Sequence, residues 1–122
     1  METSYFLDTY ALVEILGNNE NYEPYKKGSF LTTKLNLMEF HYYLIRNIGK
    51  KEADYYYDFF LNIVVEITDE VIKMANEFKF SNKKRKLSYV DCLGYVIARA
   101  NSLKFLTGDR QFEDLTNVEF VK

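Results

Sequence analysis

Short apolar runs alternate with longer amphipathic stretches along this chain. Buried β-strands are predicted where aliphatic, β-branched and aromatic residues follow one another, at residues 5–7, 29–32, 63–67, 104–106 and 118–121. Helices are predicted where apolar residues recur at intervals of three or four, at residues 9–16, 35–48, 51–62, 69–80 and 87–102. Strands therefore alternate with helical segments from one end of the sequence to the other.

The fold class follows from this alternation. Helices between successive strands favour an α/β fold, a three-layer α/β/α sandwich around a five-stranded parallel sheet. Right-handed crossovers restrict the topology, and we expect the strand order 3-2-1-4-5. In that order the first and fourth strands are neighbours where the winding reverses, and ligands bind there, beyond the carboxyl ends of the strands. With 122 residues, 48% of them hydrophobic, the chain is expected to form a single domain over residues 1–122.

Four acidic residues occupy positions that this fold would bring together. Asp8 and Asp109 follow the first and fourth predicted strands, and Glu39 and Asp91 lie early in two predicted helices. Two carboxylates ~4 Å apart repel by roughly 4 kcal/mol at an effective dielectric constant of about 20. A hard divalent cation, Mg²⁺ or Mn²⁺, turns that repulsion into binding. The pattern therefore predicts a hydrolase of phosphate esters whose metal orients and activates a water molecule.

Each of these acids also has a purely structural interpretation. Asp8 and Asp109 can each cap the helical turn that follows them. Asp91 completes a capping box with Ser88, and Glu39 stands in a weaker version of the same motif. Capping explains each acid when it is considered singly. A metal-binding role is favoured over capping only because one fold would bring all four acids together.

Other side chains are candidates for supporting roles. Thr9 and Thr107 lie next to or near the aspartates, where a hydroxyl can orient a carboxylate; helix capping and strand propensity explain them equally well. A concentrated basic run directly precedes the helix that carries Asp91. We predict that it grips a nucleic-acid backbone beside the acidic pocket, with a solvated loop as an equally weighted alternative. The residues of this run are Lys83, Lys84, Arg85 and Lys86.

Composition narrows the classes of function. A net charge of −2 and an isoelectric point of about 5.5 argue against nucleic-acid binding through overall charge, although a local basic patch is still allowed. Cys92 is the only cysteine, so an intrachain disulfide and a thiolate metal cluster are excluded and a reducing cytoplasm is expected. The first strand begins too early for a signal peptide, and no apolar run approaches the ~20 residues of a membrane span.

Catalysis by a histidine or a serine finds little support. His41, the single histidine, follows Glu39 by two residues, a spacing that directs the two side chains apart on a helix. No G-x-S-x-G sequence is present, so a nucleophile elbow is not predicted. The tyrosine run at residues 55–57 is more typical of a core or a homodimer surface than of base stacking.

Four short motifs surround the acids in order: YFLDT at residues 5–9, NLME at 36–39, LSYVDCL at 87–93 and LTGDRQF at 106–112. Together they resemble the motifs of the PIN-domain ribonucleases, and within that family those of the VapC-type toxins of toxin–antitoxin pairs. The resemblance implies a five-stranded parallel sheet and Mg²⁺ or Mn²⁺ bound by Asp8, Asp91 and Asp109, with Glu39 completing the pocket and placing the water. It also implies an RNA substrate, a homodimer and a cognate antitoxin protein.

Alternative functions are a noncatalytic PIN-like interaction scaffold and a PIN nuclease outside toxin–antitoxin systems. A receiver domain would need a pair of acids after the first strand, where only Asp8 stands. A phosphatase of the haloacid dehalogenase type would need an acid at position 10, which is Tyr10.

Overall fold

The computed structural model describes residues 3–122. Its sheet has four parallel strands in the order β2-β1-β3-β4: β1 (Ser4–Leu7), β2 (Ser29–Leu31), β3 (Lys104–Thr107) and β4 (Val118–Phe120). The α-helices are α1 (Thr9–Leu16), α2 (Lys34–Asn47), α3 (Lys50–Phe60), α4 (Asp69–Ser81) and α5 (Tyr89–Ala100). β1 and β3 pair at the centre of the sheet, as the expected order requires.

Two hydrophobic cores lie on opposite faces of this sheet. Neighbouring residues of β1 point to opposite sides, so that Phe6 contributes to one core and Leu7 to the other. Helices α4 and α5 cover the core that contains Phe6, whereas α1, α2 and α3 cover the core that contains Leu7. The three-layer α/β/α architecture is confirmed.

The strand predicted at residues 63–67 is wrong in its extent. A 3₁₀ turn occupies Leu61–Ile63, and a single parallel bridge joins Val64 to Thr32 next to the edge strand β2. Pairing stops there because the chain after β2 turns into α2 at its N-cap, Thr33, and so leaves no further backbone beside Val64. The β-branched run is extended, but it finds only one residue with which to pair. The sheet therefore has four strands and one bridge rather than five strands.

Other predicted segments differ in detail. The polar segment Glu20–Lys27 is a 3₁₀ helix that contains Pro24, and the predicted basic loop includes a 3₁₀ turn at Lys83–Arg85. The long helix predicted from residue 87 begins at Tyr89, after the N-cap Ser88. Among the described residues, no helix combines the length and the apolar character that a membrane span needs.

Helix α5 approaches the sheet closely at Gly94. The rings of Phe6 and Phe105 lie stacked beneath it, with their centroids 5.7 Å apart and 8° between their planes. A Cβ atom at position 94 would lie 2.7 Å from Cε1 of Phe6 and 3.2 Å from Cε1 of Phe105. Neither ring has room to move, because both side chains are fully buried.

We expect Gly94→Ala to destabilise the protein, although alanine is the better helix former. Overpacking against two buried rings costs about 1–3 kcal/mol, which exceeds the gain in helix propensity of about 1 kcal/mol. Chemical denaturation measures the difference. The exposed α4 substitution Asn76→Ala, which changes propensity without a clash, should be neutral or stabilising. Equal stability of Gly94→Ala and the parent protein would contradict this packing.

Candidate functional site

A cleft opens at the carboxyl ends of the two central strands. β1 and β3 pair in register at Leu7 and Leu106, which places the residues that follow each strand at one edge of the sheet. The cleft has a volume of about 410 Å³. It is lined by Asp8, Thr9, Tyr10, Asp91, Gly108, Asp109, Arg110 and Lys122. Three of the four acids selected from the sequence therefore face the same space.

Asp8 is the most deeply buried of these acids, with 5% of its surface exposed. It is the N-cap of α1, and its Oδ1 accepts a hydrogen bond of 2.8 Å from the backbone N–H of Ala11. Its Oδ2 accepts a hydrogen bond from the hydroxyl of Thr107. Burial nevertheless raises the pKa of Asp8 to about 7, and the charges of Asp91 and Asp109 contribute to the increase.

Asp91 is fixed by the capping box at the start of α5. Its Oδ2 accepts from the backbone N–H of Ser88 at 2.9 Å, and its own N–H donates to the Ser88 hydroxyl at 3.0 Å. Burial raises the pKa of Asp91, and the charge of Asp109 acts in the same direction. The capping interpretation of Asp91 is therefore correct, and the capped carboxylate also lines the cleft.

Asp109 caps the 3₁₀ turn Arg110–Phe112, where its Oδ1 accepts from the backbone N–H of Gln111 at 3.0 Å. Its own backbone N–H donates to Thr107 Oγ1 at 3.0 Å. The Thr107 hydroxyl thus donates to Asp8 and accepts from Asp109. One buried hydroxyl connects the two strand ends that carry these acids.

Glu39 does not line the cleft directly. It is exposed on α2, and its Oε1 accepts a hydrogen bond of 2.6 Å from the hydroxyl of Thr9, which does line it. The buried Asn36 donates to the same hydroxyl at 3.2 Å, and Asn36 is in turn bonded to Thr33, the N-cap of α2. Thr9 therefore links Glu39 to the rim of the cleft.

The hydrogen bonds leave one oxygen of several acids available. Within the part of the chain that the structure describes, Oδ1 of Asp91, Oδ2 of Asp109 and Oε2 of Glu39 accept no hydrogen bond. The partnered oxygen fixes each carboxylate, and the other can bind a ligand. A helix cap and a binding site are thus made by the same side chains.

The donor set fits a hard divalent cation without forming a closed site. Over residues 3–122, no three His, Cys, Asp or Glu side chains converge as a ready-made metal cage. Mg²⁺ suits such a cleft because it keeps several of its waters and needs only one or two carboxylates from the protein. Carboxylate oxygens are also the ligands that Mg²⁺ and Mn²⁺ prefer.

The predicted basic run divides into two kinds of residue. Arg85 forms a bidentate ion pair with Asp114, at 2.8 Å and 3.1 Å, and donates to the carbonyl of Gln111 at 3.1 Å. It therefore ties the segment before α5 to the turn after Asp109. The lysines of the run are exposed. His41 lies outside the cleft, with its Nε2 2.8 Å from Oδ1 of Asp54 on α3.

Lys122 and Tyr10 are among the lining residues that were not selected from the sequence. Lys122 directs its Nζ into the rim, 3.3 Å from the carbonyl oxygen of Gly108 and 5.3 Å from the centre of the Tyr10 ring. The available signal was positional, because Lys122 follows β4, whose carboxyl end lies at the same edge of the sheet. Tyr10 packs so closely on Gly108 that a Cβ atom there would overlap its ring.

Comparison with known proteins bears on the family and the fold. The PIN domain family model matches residues 5–118. The fold is similar to that of VapC20 from Mycobacterium tuberculosis, a toxin that cleaves the sarcin–ricin loop, with a TM-score of 0.81, 19% identity and coverage of 97% of this chain and 99% of that one. It is also similar to a toxin–antitoxin complex from Klebsiella pneumoniae, with a TM-score of 0.73, 13% identity and coverage of 94% and 95%.

A third similar structure is VapBC2 from Rickettsia felis bound to a fragment of its promoter DNA, with a TM-score of 0.73, 17% identity and coverage of 98% and 100%. No protein of curated function matches this chain significantly by sequence. At these identities the structural similarities establish the fold alone.

The raised pKa of Asp8 predicts how stability depends on pH. Asp8 holds its proton up to about pH 7 in the folded protein but only to about 3.8 when unfolded. Its contribution to the free energy of unfolding is therefore full below about pH 4 and is lost as the pH rises through 7. We expect the denaturation midpoint of metal-free Asp8→Asn to fall less between pH 4 and pH 7 than that of the parent protein. At pH 8 the midpoint of Asp8→Asn should be the higher of the two. A parallel decline in both proteins would contradict the assignment.

Replacing Thr107 by valine should destabilise the protein by about 1–3 kcal/mol, because the Asp8 carboxylate and the Asp109 amide each lose a buried partner. The loss should be greater near pH 8 than near pH 5, since the lost hydroxyl stabilises the ionised form of Asp8. Denaturation at both pH values in EDTA measures this, and Thr107→Ser should restore stability. A loss that is the same at both pH values would exclude the proposed bond to the carboxylate.

Proposed function

The chain belongs to the PIN-domain family, and on that basis we propose that it is a divalent-metal-dependent endoribonuclease, the toxin of a type II toxin–antitoxin pair. The observation that supports this most directly is the cleft that Asp8, Asp91 and Asp109 line together. Burial and mutual repulsion raise the pKa of Asp8 to about 7. A carboxylate held at such a cost to stability indicates a functional site.

The proposed metal ligands are Asp8, Asp91 and Asp109, with Mg²⁺ or Mn²⁺ as the ion. When bound, the cation lowers the pKa of a water molecule and stabilises negative charge on a phosphodiester. A bound cation would also offset the repulsion from Asp91 and Asp109, which adds to the effect of burial on the pKa of Asp8. Thr107 holds the Asp8 carboxylate in place, and the N–H groups of Ser88 and Gln111 hold the other two.

Glu39 is proposed to place the attacking water and to accept its proton. The Thr9 hydroxyl fixes one oxygen of the Glu39 carboxylate and leaves the other available. Because Glu39 is exposed, it can hold a water molecule at the rim of the cleft rather than at its floor. Asn36 holds Thr9 from beneath, which gives this exposed group a fixed position.

RNA is the proposed substrate, and an antitoxin protein is the proposed partner. VapC20 of M. tuberculosis cleaves the sarcin–ricin loop, the structure from K. pneumoniae is a toxin–antitoxin complex, and that from R. felis is VapBC2 on promoter DNA. A homodimer is proposed as well. Its support is the apolar surface of α2 and α3, where Tyr42, Tyr55 and Phe59 are each more than half exposed.

Cleavage of single-stranded RNA tests the proposal. The purified protein should cleave with Mg²⁺ or Mn²⁺ and not in EDTA, and Asp8→Asn should lower the rate by at least about 100-fold. Either metal should raise the melting temperature of the parent protein and raise that of Asp8→Asn less. Asp69→Asn is the control, because Asp69 is an exposed acid in the first turn of α4, away from the cleft.

Absence of cleavage with both metals, together with equal metal-induced stabilisation of the parent protein and Asp8→Asn, would refute the proposal. That result would identify the protein as a noncatalytic scaffold with this fold. If the protein cleaves RNA but no antitoxin gene lies beside its own gene, the nuclease assignment stands and the toxin assignment is wrong.

A further inference from the structure

Two strongly exposed aromatic rings stand at the two ends of the α4–α5 junction, and a lysine lies over each of them. Phe80 is 73% exposed and Tyr89 is 65% exposed. The Nζ of Lys83 lies 4.9 Å from the centre of the Phe80 ring, and the Nζ of Lys79 lies 4.9 Å from that of Tyr89. An exposed aromatic residue alone is common. Two rings paired with ammonium groups form a distinct surface, which we call the junction surface.

The junction surface borders the acidic cleft. Tyr89 is the first residue of α5, and Asp91 lies in the same helical turn. The segment between the rings and the cleft is held in place, because Lys79 donates to the carbonyl of Leu87 and the N–H of Ser88 donates to Asp91. The ammonium group of Lys79, which lies over the Tyr89 ring, also acts on the charge of Asp91, so a strand bound at Tyr89 and Lys79 lies near the proposed metal ligands.

The junction surface is positively charged, and acidic side chains do not neutralise all of this charge. Lys84 and Lys86 are exposed and make no ion pair with any described residue. Arg85, by contrast, is engaged by Asp114. The lysines can thus reach phosphate groups, while the arginine keeps the segment in place. This arrangement explains how a chain of net charge −2 can bind a polyanion locally.

We propose that Phe80 and Tyr89 are a stacking platform for unpaired bases of a single-stranded RNA, and that Lys79, Lys83, Lys84 and Lys86 bind its phosphates. The inference rests on the proposed function and adds to it the path by which RNA enters the cleft. Aromatic rings that alternate with cations are the usual means of holding a single strand without reading its sequence. A duplex offers no free base faces, so the platform selects unpaired segments.

A single strand fits this surface better than a protein partner does. Lysine is depleted at the centre of protein interfaces, because its ammonium group is costly to desolvate. At the junction surface both exposed rings, Phe80 and Tyr89, have a lysine over one face. On the apolar surface of α2 and α3, on the other side of the sheet, Arg46 lies over Tyr42, but among the described residues no lysine lies over Tyr42, Tyr55 or Phe59. That surface is therefore the better candidate for a protein contact.

Tryptophan fluorescence gives a direct test, because the chain contains no tryptophan. In Tyr89→Trp the single indole should stack on a base, and its emission should fall when an unstructured single-stranded RNA is added in EDTA. The matched control is Tyr55→Trp, since Tyr55 is 63% exposed on α3, in the opposite layer. A duplex of the same RNA should quench neither variant. Undiminished Tyr89→Trp emission in the presence of bound RNA would overturn the platform.

Affinity and its salt dependence test the two parts of the surface separately. Tyr89→Ala should weaken binding of a fluorescein-labelled single strand by roughly 5- to 100-fold, with the slope of log Kd against log salt unchanged. Lys83→Gln with Lys84→Gln should reduce that slope by roughly 1.4, at about 0.7 for each phosphate contact. Lys104→Gln, an exposed lysine at the opposite end of the sheet, should leave both quantities unchanged.

The outcomes separate this inference from the proposed function. The parent protein could show metal-dependent cleavage while the junction variants leave RNA affinity and its salt slope unchanged. That result refutes the stacking platform and keeps the nuclease assignment, and the junction surface would then be available to a protein partner. Quenching and salt-dependent binding without cleavage refute the nuclease and support the RNA-binding surface. Melting temperatures of Tyr89→Ala and Tyr55→Trp should match the parent, because both side chains are exposed.

Discussion

The buried carboxylate of Asp8 is the constraint on which the site depends. Parallel pairing of β1 with β3 brings Thr107 against Asp8, and the start of α1 supplies the N–H of Ala11. These hydrogen bonds favour the ionised carboxylate, yet burial and two neighbouring aspartates raise its pKa to about 7. A neutral residue would satisfy the same cap with less repulsion. An aspartate at position 8 is therefore better explained by binding of a ligand than by capping of α1.

Structural and functional interpretations of the acids are compatible here. Each N-cap uses one carboxylate oxygen to satisfy a backbone N–H, which fixes the side chain in one orientation. Helices that begin at the carboxyl edge of a parallel sheet direct their caps towards the same crevice. Capping thus supplies the preorganisation that a metal site needs, and no separate set of supporting residues is required to aim Asp91 or Asp109.

Much of the fold and part of the site could be predicted from the sequence, because both depend on patterns that are local in the chain. Strand ends and helix starts locate Asp8, Asp91 and Asp109 once the strand order is known. The strand at residues 63–67 was overpredicted because strand formation depends on a partner, and β2 ends before it can supply one. The position of Lys122 on the rim depends on how β4 returns beside β3, which no local pattern records.

The basic run shows why charge patterns need the tertiary structure. Four consecutive cations look equivalent in the sequence, but the planar guanidinium of Arg85 forms a bidentate pair that the lysines cannot form. That pair joins the segment before Asp91 to the turn after Asp109, on the two sides of the cleft. The lysines keep single, mobile charges, which suit phosphates of changing position better than a fixed carboxylate. Anchoring and the proposed RNA binding are thereby divided between residues of the same charge, and the Arg85–Asp114 pair holds the lysines near the acids.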